Sequence, residues 1–376
     1  MRILINSSTF KGTGVTQVAV SFINECAKIA NNDYYVFMSP NVSRNIDKNK
    51  FGQNFTFFEF GKHSLYSLRG VPDLIKMKKL EKRIGPDVVF SVFGPSLWKP
   101  KAPHLQGFAY GHYVYKDSPL FKRIGLKEKM GIYVRQFFHM KLMKHEGNFF
   151  VCETTDVANR LHKYFNIDEE KIFTVSNTAN SYFLNYVHDS SQRRESNFFN
   201  FYILCSNAPN KNLAILNDVV PILNSRILKK EVRFYLTIPN REYEQLISED
   251  AKKTVRNVGP LKVADCPAFV DSCDALFLPT LIECFSASYP EAMVMGKPIL
   301  TSDLSFATTL CKDAALYFDP LNAVDIADKI EKIVNSTEYY RTLQKRGAER
   351  VKSFLTPRER AKAYLDICNQ IKNENI

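Results

Sequence analysis

Short apolar runs of strand length alternate with stretches of helical period along almost the whole chain, and this alternation restricts the fold more than any other feature. In the first half the runs are RILI (2–5), YYVFM (34–38), TFFEF (55–59), DVVFSV (87–92), HLQGFAY (104–110), FFVC (149–152) and IFTV (172–175). Residues 16–30 and 72–84 have the period of a helix. Nearly continuous apolar strands separated by helices are typical of a parallel sheet covered on both faces. The first half therefore predicts a doubly wound α/β domain.

The pattern stops once and then begins again. Residues 188–200, HDSSQRRESNFFN, are polar and without period, as in a linker. New strand-like runs follow: FYIL (201–204), VRFYLT (232–237), ALFLP (275–279), PILTS (298–302) and ALYF (315–318). We therefore predict two Rossmann-like α/β domains, 1–190 and 191–356, in a chain long enough for two cores. Residues 357–376 are predicted to form a helix packed on the outside, with a return to the first domain as an alternative.

Composition excludes several classes of protein. Of the 376 residues, 45% are hydrophobic and 24% charged, and no apolar run reaches the roughly 18–20 residues that span a bilayer. The first residues, MRILINSS, read as a strand and a loop rather than as a secretory signal. Eight scattered cysteines without a C-x-x-C pair are typical of reduced, buried thiols. We expect a cytoplasmic protein without disulfides or a zinc site.

The basic charge of the chain is concentrated in its first half. The formal net charge is +12, and residues 1–190 contain 26 Lys and Arg against 16 Asp and Glu. Residues 74–83, LIKMKKLEKR, and 120–147 mix basic with apolar residues, a composition suited to an anionic membrane surface. The stretches predict peripheral attachment to the inner face of the plasma membrane; the alternative is a solvated helix face. They carry no signature of nucleic-acid binding, and we expect no such partner.

Two loops have the chemistry of a ligand site, because open parallel sheets bind ligands beyond the carboxyl ends of their strands. The first loop, within NSSTFKGTGVTQVAV, places Gly12 and Gly14 before a helix predicted to begin near Thr16. Glycines let the backbone approach a ligand closely. An ordinary strand-to-helix turn explains the same residues.

The second loop lies in Leu281–Met293, LIECFSASYPEAM. It places Glu283 in a loop and Glu291 in the first turn of a helix that Gly296 closes. Amides between the two carboxylates would favour a diphosphate, and the carboxylates would accept from sugar hydroxyls. The amides in question are those of Cys284, Phe285 and Ser286. An alternative for Glu291 is a capping box with Ser288.

The run LPTLIECFSASYPEAMVMGKPILTSDL resembles the E-x7-E signature of the retaining GT-B glycosyltransferases of family 4. SNAPNKNLAIL (206–216) resembles that family's donor loop, in which Lys211 would bind the diphosphate. HLQGFAYGHYVY places His112 near the histidine that touches the donor sugar, although a structural histidine is an alternative. Two positions depart from the family pattern: Ser286 replaces a glycine, and Asn207 replaces an arginine that many members place beside the phosphates.

The resemblance implies two domains facing across a cleft, the first binding an acceptor and the second a nucleotide-diphosphate sugar. It implies hexose transfer with retention to a glycan or polyprenyl-linked acceptor, in bacterial surface polysaccharide synthesis. Glu283 and His112 would hold sugar hydroxyls, Glu291 the ribose, and the Gly12/Gly14 loop would approach both substrates. Because the sequence has no D-x-D pair, we expect metal-independent chemistry without a cofactor. The residues alone predict only a nucleotide-sugar or dinucleotide ligand, and a nucleotide-sugar epimerase on the same scaffold is an alternative.

Overall fold

The computed structural model describes residues 1–10, 12–29, 31–61, 63–188 and 197–374. Residues 189–196, which hold most of the predicted linker and the predicted boundary at 190/191, lie outside these ranges. The described chain divides into two compact units, one comprising Met1–Val114, Gly125–Asn177 and Leu355–Ile376, the other Tyr115–Ile124 and Thr178–Phe354. Over the described ranges, no helix combines the length and the apolar character needed to cross a membrane.

The first unit is built on a sheet of seven parallel strands. Its elements are β1 Arg2–Ser7, α1 Thr13–Cys26, β2 Asp33–Met38, α2 Pro40–Arg44, β3 Phe55–Glu59, α3 Val71–Ile84, β4 Val88–Ser91, β5 His104–Phe108, α4 Gly111–Val114, α6 Leu126–Glu146, β6 Phe149–Cys152, α7 Thr155–Phe165, β7 Ile172–Thr174 and α16 Pro357–Ile371. The strands lie in the order β3-β2-β1-β4-β5-β6-β7. The order reverses between β1 and β4, as in a doubly wound fold.

Both faces of this sheet are buried, which explains why its strands are apolar at almost every position. On one face Ile3 and Ile5 belong to the cluster that includes α1 and α16, where Tyr364 lies edge-on to Phe22 at 5.5 Å between ring centroids. On the other face, Leu4 packs with residues of α3 such as Met77. Alternate residues of one strand thus serve two cores.

The second unit repeats this arrangement with six parallel strands. Its elements are α5 Leu120–Arg123, α8 Ser181–Leu184, β8 Phe198–Ile203, α9 Leu216–Asn224, β9 Glu231–Leu236, α10 Asn240–Leu246, β10 Val255–Asn257, α11 Cys266–Asp271, β11 Ala275–Leu278, α12 Ser288–Val294, β12 Ile299–Ser302, α13 Ser305–Cys311, β13 Ala315–Phe318, α14 Ala323–Asn335 and α15 Thr337–Arg350. The strands lie in the order β10-β9-β8-β11-β12-β13, which reverses between β8 and β11. The predicted pair of Rossmann-like α/β domains is confirmed.

Several local features differ from the predictions. Strand β10 was not predicted, because three residues with one buried side chain carry no clear periodicity. Helix α1 begins at Thr13 rather than near Thr16, so that Gly14 lies in its first turn. The cysteines, in contrast, agree with the expectation of reduced, buried thiols: all eight are free, and six of them are buried.

The division into units also differs from the predicted ranges. Residues from Thr178 onward group with the second unit, since the backbone amide of Asn180 donates to Glu291 and α8 packs on α11 and α12. Residues 115–124 also join the second unit, where the Ser118 hydroxyl donates to the carbonyl of Leu281 at 2.7 Å. Residues Leu355–Ile376 group with the first unit, because α16 packs on α1 and β4.

Candidate functional site

The second unit brings two predicted loops together at the point where its strand order reverses. Residues 204–212 follow β8 and residues 279–287 follow β11, and these two strands are neighbours. Since both strands run parallel, their carboxyl ends meet at one edge of the sheet. Crevices at such switch points are the usual ligand sites of open α/β sheets.

Backbone and side-chain hydrogen bonds fasten the two loops to each other. The amide of Leu281 donates to the carbonyl of Asn210 at 2.7 Å, and the Asn210 side chain donates to the carbonyl of Ile282 at 2.9 Å. Asn212 adopts a left-handed conformation with φ of 54°, and its side chain donates to the carbonyl of Pro320 at 2.8 Å. These contacts hold Lys211 beside the second loop.

Lys211 and Glu283 form an ion pair in this crevice. Their side chains are 17% and 18% exposed, so the pair is partly shielded from water while each group can still be reached. Burial acts to lower the pKa of Lys211, but the neighbouring Glu283 carboxylate outweighs it and the net pKa is raised. Lys211 therefore remains a cation at neutral pH.

Helix α12 places Glu291 in its first turn, next to the same loop. The alternative of a capping box with Ser288 is not realised: the N-cap is Ala287, it makes no side-chain cap hydrogen bond, and Ser288 is already helical. The Glu291 carboxylate accepts from the backbone amide of Asn180 at 3.3 Å instead. Burial raises the pKa of Glu291 to about 8, although this hydrogen bond acts to lower it. The helix ends before Gly296, which has a φ of 63° as predicted for a closing glycine.

The three residues that follow Glu283 are buried. Cys284, Phe285 and Ser286 are each less than a tenth exposed, and the Phe285 ring lies 6.1 Å from that of Phe354. Among the residues the structure describes, none accepts a hydrogen bond from the backbone amides of Phe285 and Ser286. These two amides thus remain available as donors, whereas the side chain of Phe285 serves packing. Asn207, the remaining predicted donor-binding residue of this unit, is half-buried in the loop after β8.

The other predicted site residues belong to the first unit, at the carboxyl edge of its own sheet. His112 is half-buried in α4, which follows β5, and Gly12 is the N-cap of α1, which follows β1. The carbonyl of Gly12 accepts from the Thr16 hydroxyl at 2.8 Å. A β-carbon added at Gly14 would meet no atom of the described residues within 4 Å, so space is open beside it. Neither glycine has a positive φ, and both conformations suit any residue.

A small cavity of about 160 Å³ lies at this edge of the first sheet. Polar groups line it, among them Ser8, Ser39 and Asn41, together with the exposed ring of Tyr66. A pocket with hydroxyl and amide groups suits a hydroxyl-rich ligand.

Sequence reasoning missed three residues that build the crevice of the second unit. Asn210 and Asn212 flank Lys211, and their place in the loop PNKN could have indicated their role, since asparagine tolerates a left-handed backbone and bonds nearby main chain. Ser118 carried no such signal, because its partner Leu281 is 163 positions away. Within the described ranges, no group of three or more His, Cys, Asp or Glu side chains is placed to hold a metal ion.

Comparison with known proteins agrees with this geometry. Residues 200–336 match the family model described as "Glycosyl transferases group 1", a range that contains both loops of the crevice. No curated protein matches the sequence. Support for the second unit as a group 1 glycosyltransferase domain thus comes from the match over residues 200–336.

Solved structures resemble the whole chain. A glycosyltransferase from Rickettsia africae is 15% identical with a TM-score of 0.75, covering 100% of this chain and 99% of its own. HepE from Anabaena, in complex with UDP-glucose, is 12% identical with a TM-score of 0.73, covering 98% and 100%. WaaG, a glycosyltransferase involved in lipopolysaccharide biosynthesis, is 11% identical with a TM-score of 0.72, covering 98% and 99%. The fold is therefore that of the GT-B glycosyltransferases. Together the comparisons support a glycosyltransferase and do not favour the epimerase alternative.

Proposed function

We propose that this protein transfers a hexose from a nucleotide-diphosphate sugar to a glycan or polyprenyl-linked acceptor, with retention of anomeric configuration. The observation that carries the proposal is the Lys211–Glu283 pair at the switch point between β8 and β11. A cation and a carboxylate in this crevice, with two unengaged amides and a second carboxylate in the segment that follows, would match the groups of such a donor. HepE, whose fold is similar, was solved with UDP-glucose, which makes UDP-sugars the first donors to test.

Each group has a distinct task in this proposal. When the bond between the anomeric carbon and the diphosphate breaks, negative charge develops on the diphosphate, and Lys211 with the amides of Phe285 and Ser286 would stabilise it. The acceptor hydroxyl attacks the anomeric carbon from the face that the diphosphate leaves, and its proton passes to a phosphate oxygen. Lys211 and these amides would replace a metal ion in this task.

The carboxylates would position the donor. Glu283 would accept from hydroxyls of the sugar and Glu291 from those of the ribose, each acting as a pure acceptor once ionised. His112 would contact a sugar hydroxyl from the loop after β5, and the Gly12/Gly14 loop would approach both substrates. The polar cavity in the first unit offers hydroxyl and amide groups to an acceptor.

The proposed acceptor, a glycan or a polyprenyl-linked molecule, indicates the cellular role. We propose bacterial surface polysaccharide synthesis at the inner face of the plasma membrane. The solved structures that resemble this chain include a glycosyltransferase of lipopolysaccharide biosynthesis, which supports a surface glycan as product. A polyprenyl-linked acceptor would require the enzyme to work at a membrane surface.

A thermal-shift screen with UDP-, GDP-, dTDP- and CMP-sugars tests the donor, followed by a product assay with and without polyprenyl-phosphate-linked acceptors. We expect one nucleotide series to raise the melting temperature of the wild type, to raise that of Lys211→Ala much less, and to raise that of Lys329→Ala as much as the wild type. Lys329 is a matched control because it pairs with Asp325 at 3.3 Å elsewhere in the same unit. Equal shifts for wild type and Lys211→Ala would refute the donor site. Donor turnover to an isomeric nucleotide sugar without any acceptor would establish the epimerase instead.

A further inference from the structure

Helix α6 in the first unit exposes a row of large apolar side chains. Leu126, Met130, Tyr133, Val134, Phe137 and Phe138 are 45–76% exposed. Their spacing, i, i+4, i+7, i+8, i+11 and i+12, places them on one face of a helix. We call these six residues the α6 ridge. Apolar rows of this size on a protein surface mark an interaction site.

The ridge is not the side of α6 that packs on its own unit. Ile132, Met140 and Met143 are buried, and at 100° per residue they centre on a different side of the helix from the ridge. Helix α6 therefore has two apolar faces, one that serves the core and one that remains uncovered.

The rest of the exposed surface of α6 is basic. Lys127, Lys141 and Lys144 share the outward side with the ridge, and Arg135 is also exposed. The acidic residues of the helix are Glu128 and Glu146, and Glu146 is buried where it accepts from the amide of Ser96 at 2.7 Å. The exposed charges around the ridge are thus mostly positive, and Glu128 is the exposed acidic residue of the helix.

A basic groove of about 500 Å³ lies between the carboxyl-terminal end of α6 and helix α3. It is lined by five exposed lysines, Lys78, Lys79, Lys82, Lys99 and Lys101. Its two carboxylates are engaged: Glu81 accepts from the indole of Trp98 at 3.1 Å and from the amide of Lys101 at 2.6 Å, and Glu146 is held by Ser96. Five lysines against two carboxylates leave the groove with a net positive charge.

We propose that the α6 ridge and this lysine groove together form a docking surface for an anionic phospholipid bilayer. The ridge enters the region between headgroups and acyl chains, and the groove receives lipid phosphates. His145 of α6 lines the groove and stands seven residues beyond Phe138, about 10 Å along the helix axis, so the groove and the ridge are neighbours on the surface. The two elements supply the apolar area and the positive charge that stable membrane binding needs together.

Charge decides between a bilayer and a second copy of the chain as the occupant of this face. A symmetric contact through α6 would bring its lysines and Arg135 against like charges, which opposes association. An anionic bilayer attracts the same residues. Not every basic residue of the stretch 120–147 belongs to this surface. Arg123 lies in the second unit, where it donates to the side chain of Asn212.

Vesicle binding of the full chain tests the proposal. Trp98 is the single tryptophan of the sequence and lines the groove with 2% of its surface exposed, so its emission spectrum reports a change in the environment of the groove. We expect cosedimentation with phosphatidylcholine vesicles that contain phosphatidylglycerol but not with phosphatidylcholine alone, and a shift of the Trp98 emission maximum with the former vesicles only. Charge reversal of Lys78, Lys79 and Lys82 to Glu should weaken partitioning at least about a hundredfold, and Phe137→Ser with Phe138→Ser at least about tenfold.

Two control variants keep the outcome interpretable. Lys229→Glu, Lys230→Glu and Lys345→Glu make the same charge change on exposed residues of the second unit, and Ile227→Ser removes a side chain that is 94% exposed. Neither should alter partitioning, and the melting temperature of every variant confirms that it folds. If the ridge and groove variants bind vesicles like these controls, the proposal fails. A dimer in sedimentation velocity that Phe137→Ser and Phe138→Ser dissociate would overturn it in favour of self-association. Because vesicle binding is measured without a sugar donor, it is independent of the proposed transfer activity.

Discussion

The Lys211–Glu283 pair allows the donor site to be tested through competition between Glu283 and a diphosphate for one ammonium group. If the diphosphate binds at Lys211, it must displace or share the Glu283 carboxylate. Glu283→Gln should therefore tighten the binding of UDP, which lacks a sugar, and weaken that of the sugar-bearing donor, whose hydroxyls lose their acceptor. Lys211→Ala should weaken both.

The magnitudes follow from the partial burial of the pair. A fully buried pair costs about 3–5 kcal/mol when one partner is removed, and an exposed pair about 0–1 kcal/mol. With side chains 17% and 18% exposed, an intermediate cost of about 2 kcal/mol is expected for either single variant. In a unit of roughly 190 residues this lowers the melting temperature by about 4–8 °C. Loss of a charge-assisted hydrogen bond of about 1.5–3 kcal/mol weakens UDP binding about 10- to 100-fold in Lys211→Ala.

Calorimetric titration of UDP and a UDP-sugar into wild type, Lys211→Ala, Glu283→Gln and the double variant checks these values. The double variant should be less destabilised than the sum of the single variants, because it leaves neither charge unpaired. UDP binding that falls equally in Glu283→Gln and Lys211→Ala would refute the competition. Unchanged UDP binding in Lys211→Ala would show that the diphosphate lies elsewhere.

Three further predictions concern other parts of the molecule. In the proposed site the ribose diol needs an ionised Glu291, and burial raises the pKa of Glu291 to about 8, so donor affinity should rise between pH 6.5 and pH 8.5 in calorimetric titrations of the wild type. Affinity that stays flat in the wild type, or rises equally in Glu291→Gln, would contradict this role. His112→Ala should lower kcat about tenfold with little change in UDP affinity, and an unchanged kcat would leave His112 a structural residue. Gly131→Ala should raise the stability of α6 by about 0.5–1 kcal/mol, since no atom of the described residues lies within 4 Å of its added methyl group. Gly107→Ala should destabilise by several times as much, because its methyl group would lie 1.9 Å from the carbonyl of Val92; thermal unfolding that ranks the two variants in the opposite order would refute the packing argument.

The sequence predicted those features that depend on neighbouring residues. Twelve strands could be located because most of them bury side chains on both faces of a sheet and all are apolar over a short run. The spacing of Glu283 and Glu291 likewise determines that one lies in a loop and the other in the first turn of α12. The positive φ of Gly296 follows from its place after a helix, where only a residue that tolerates a left-handed backbone fits well. The short strand β10 could not be predicted, because three residues with a single buried side chain show no periodicity.

Other features exist only because distant segments meet. Lys211 and Glu283 are 72 positions apart, and they pair because β8 and β11 are neighbours in a sheet whose strand order reverses there. Ser288 and Glu291 have the spacing of a capping box. The Glu291 carboxylate nevertheless accepts a hydrogen bond from the backbone amide of Asn180, which is 111 positions away. The α6 ridge shows no clear amphipathic pattern in the sequence, since apolar residues on two faces, interspersed with charged residues, form no single stripe, and only the packing reveals which face is covered. Local periodicity thus determines the helices and strands and their order along the chain. Strand pairing and burial depend on contacts between distant segments, and they determine which charged groups and surfaces remain available for function.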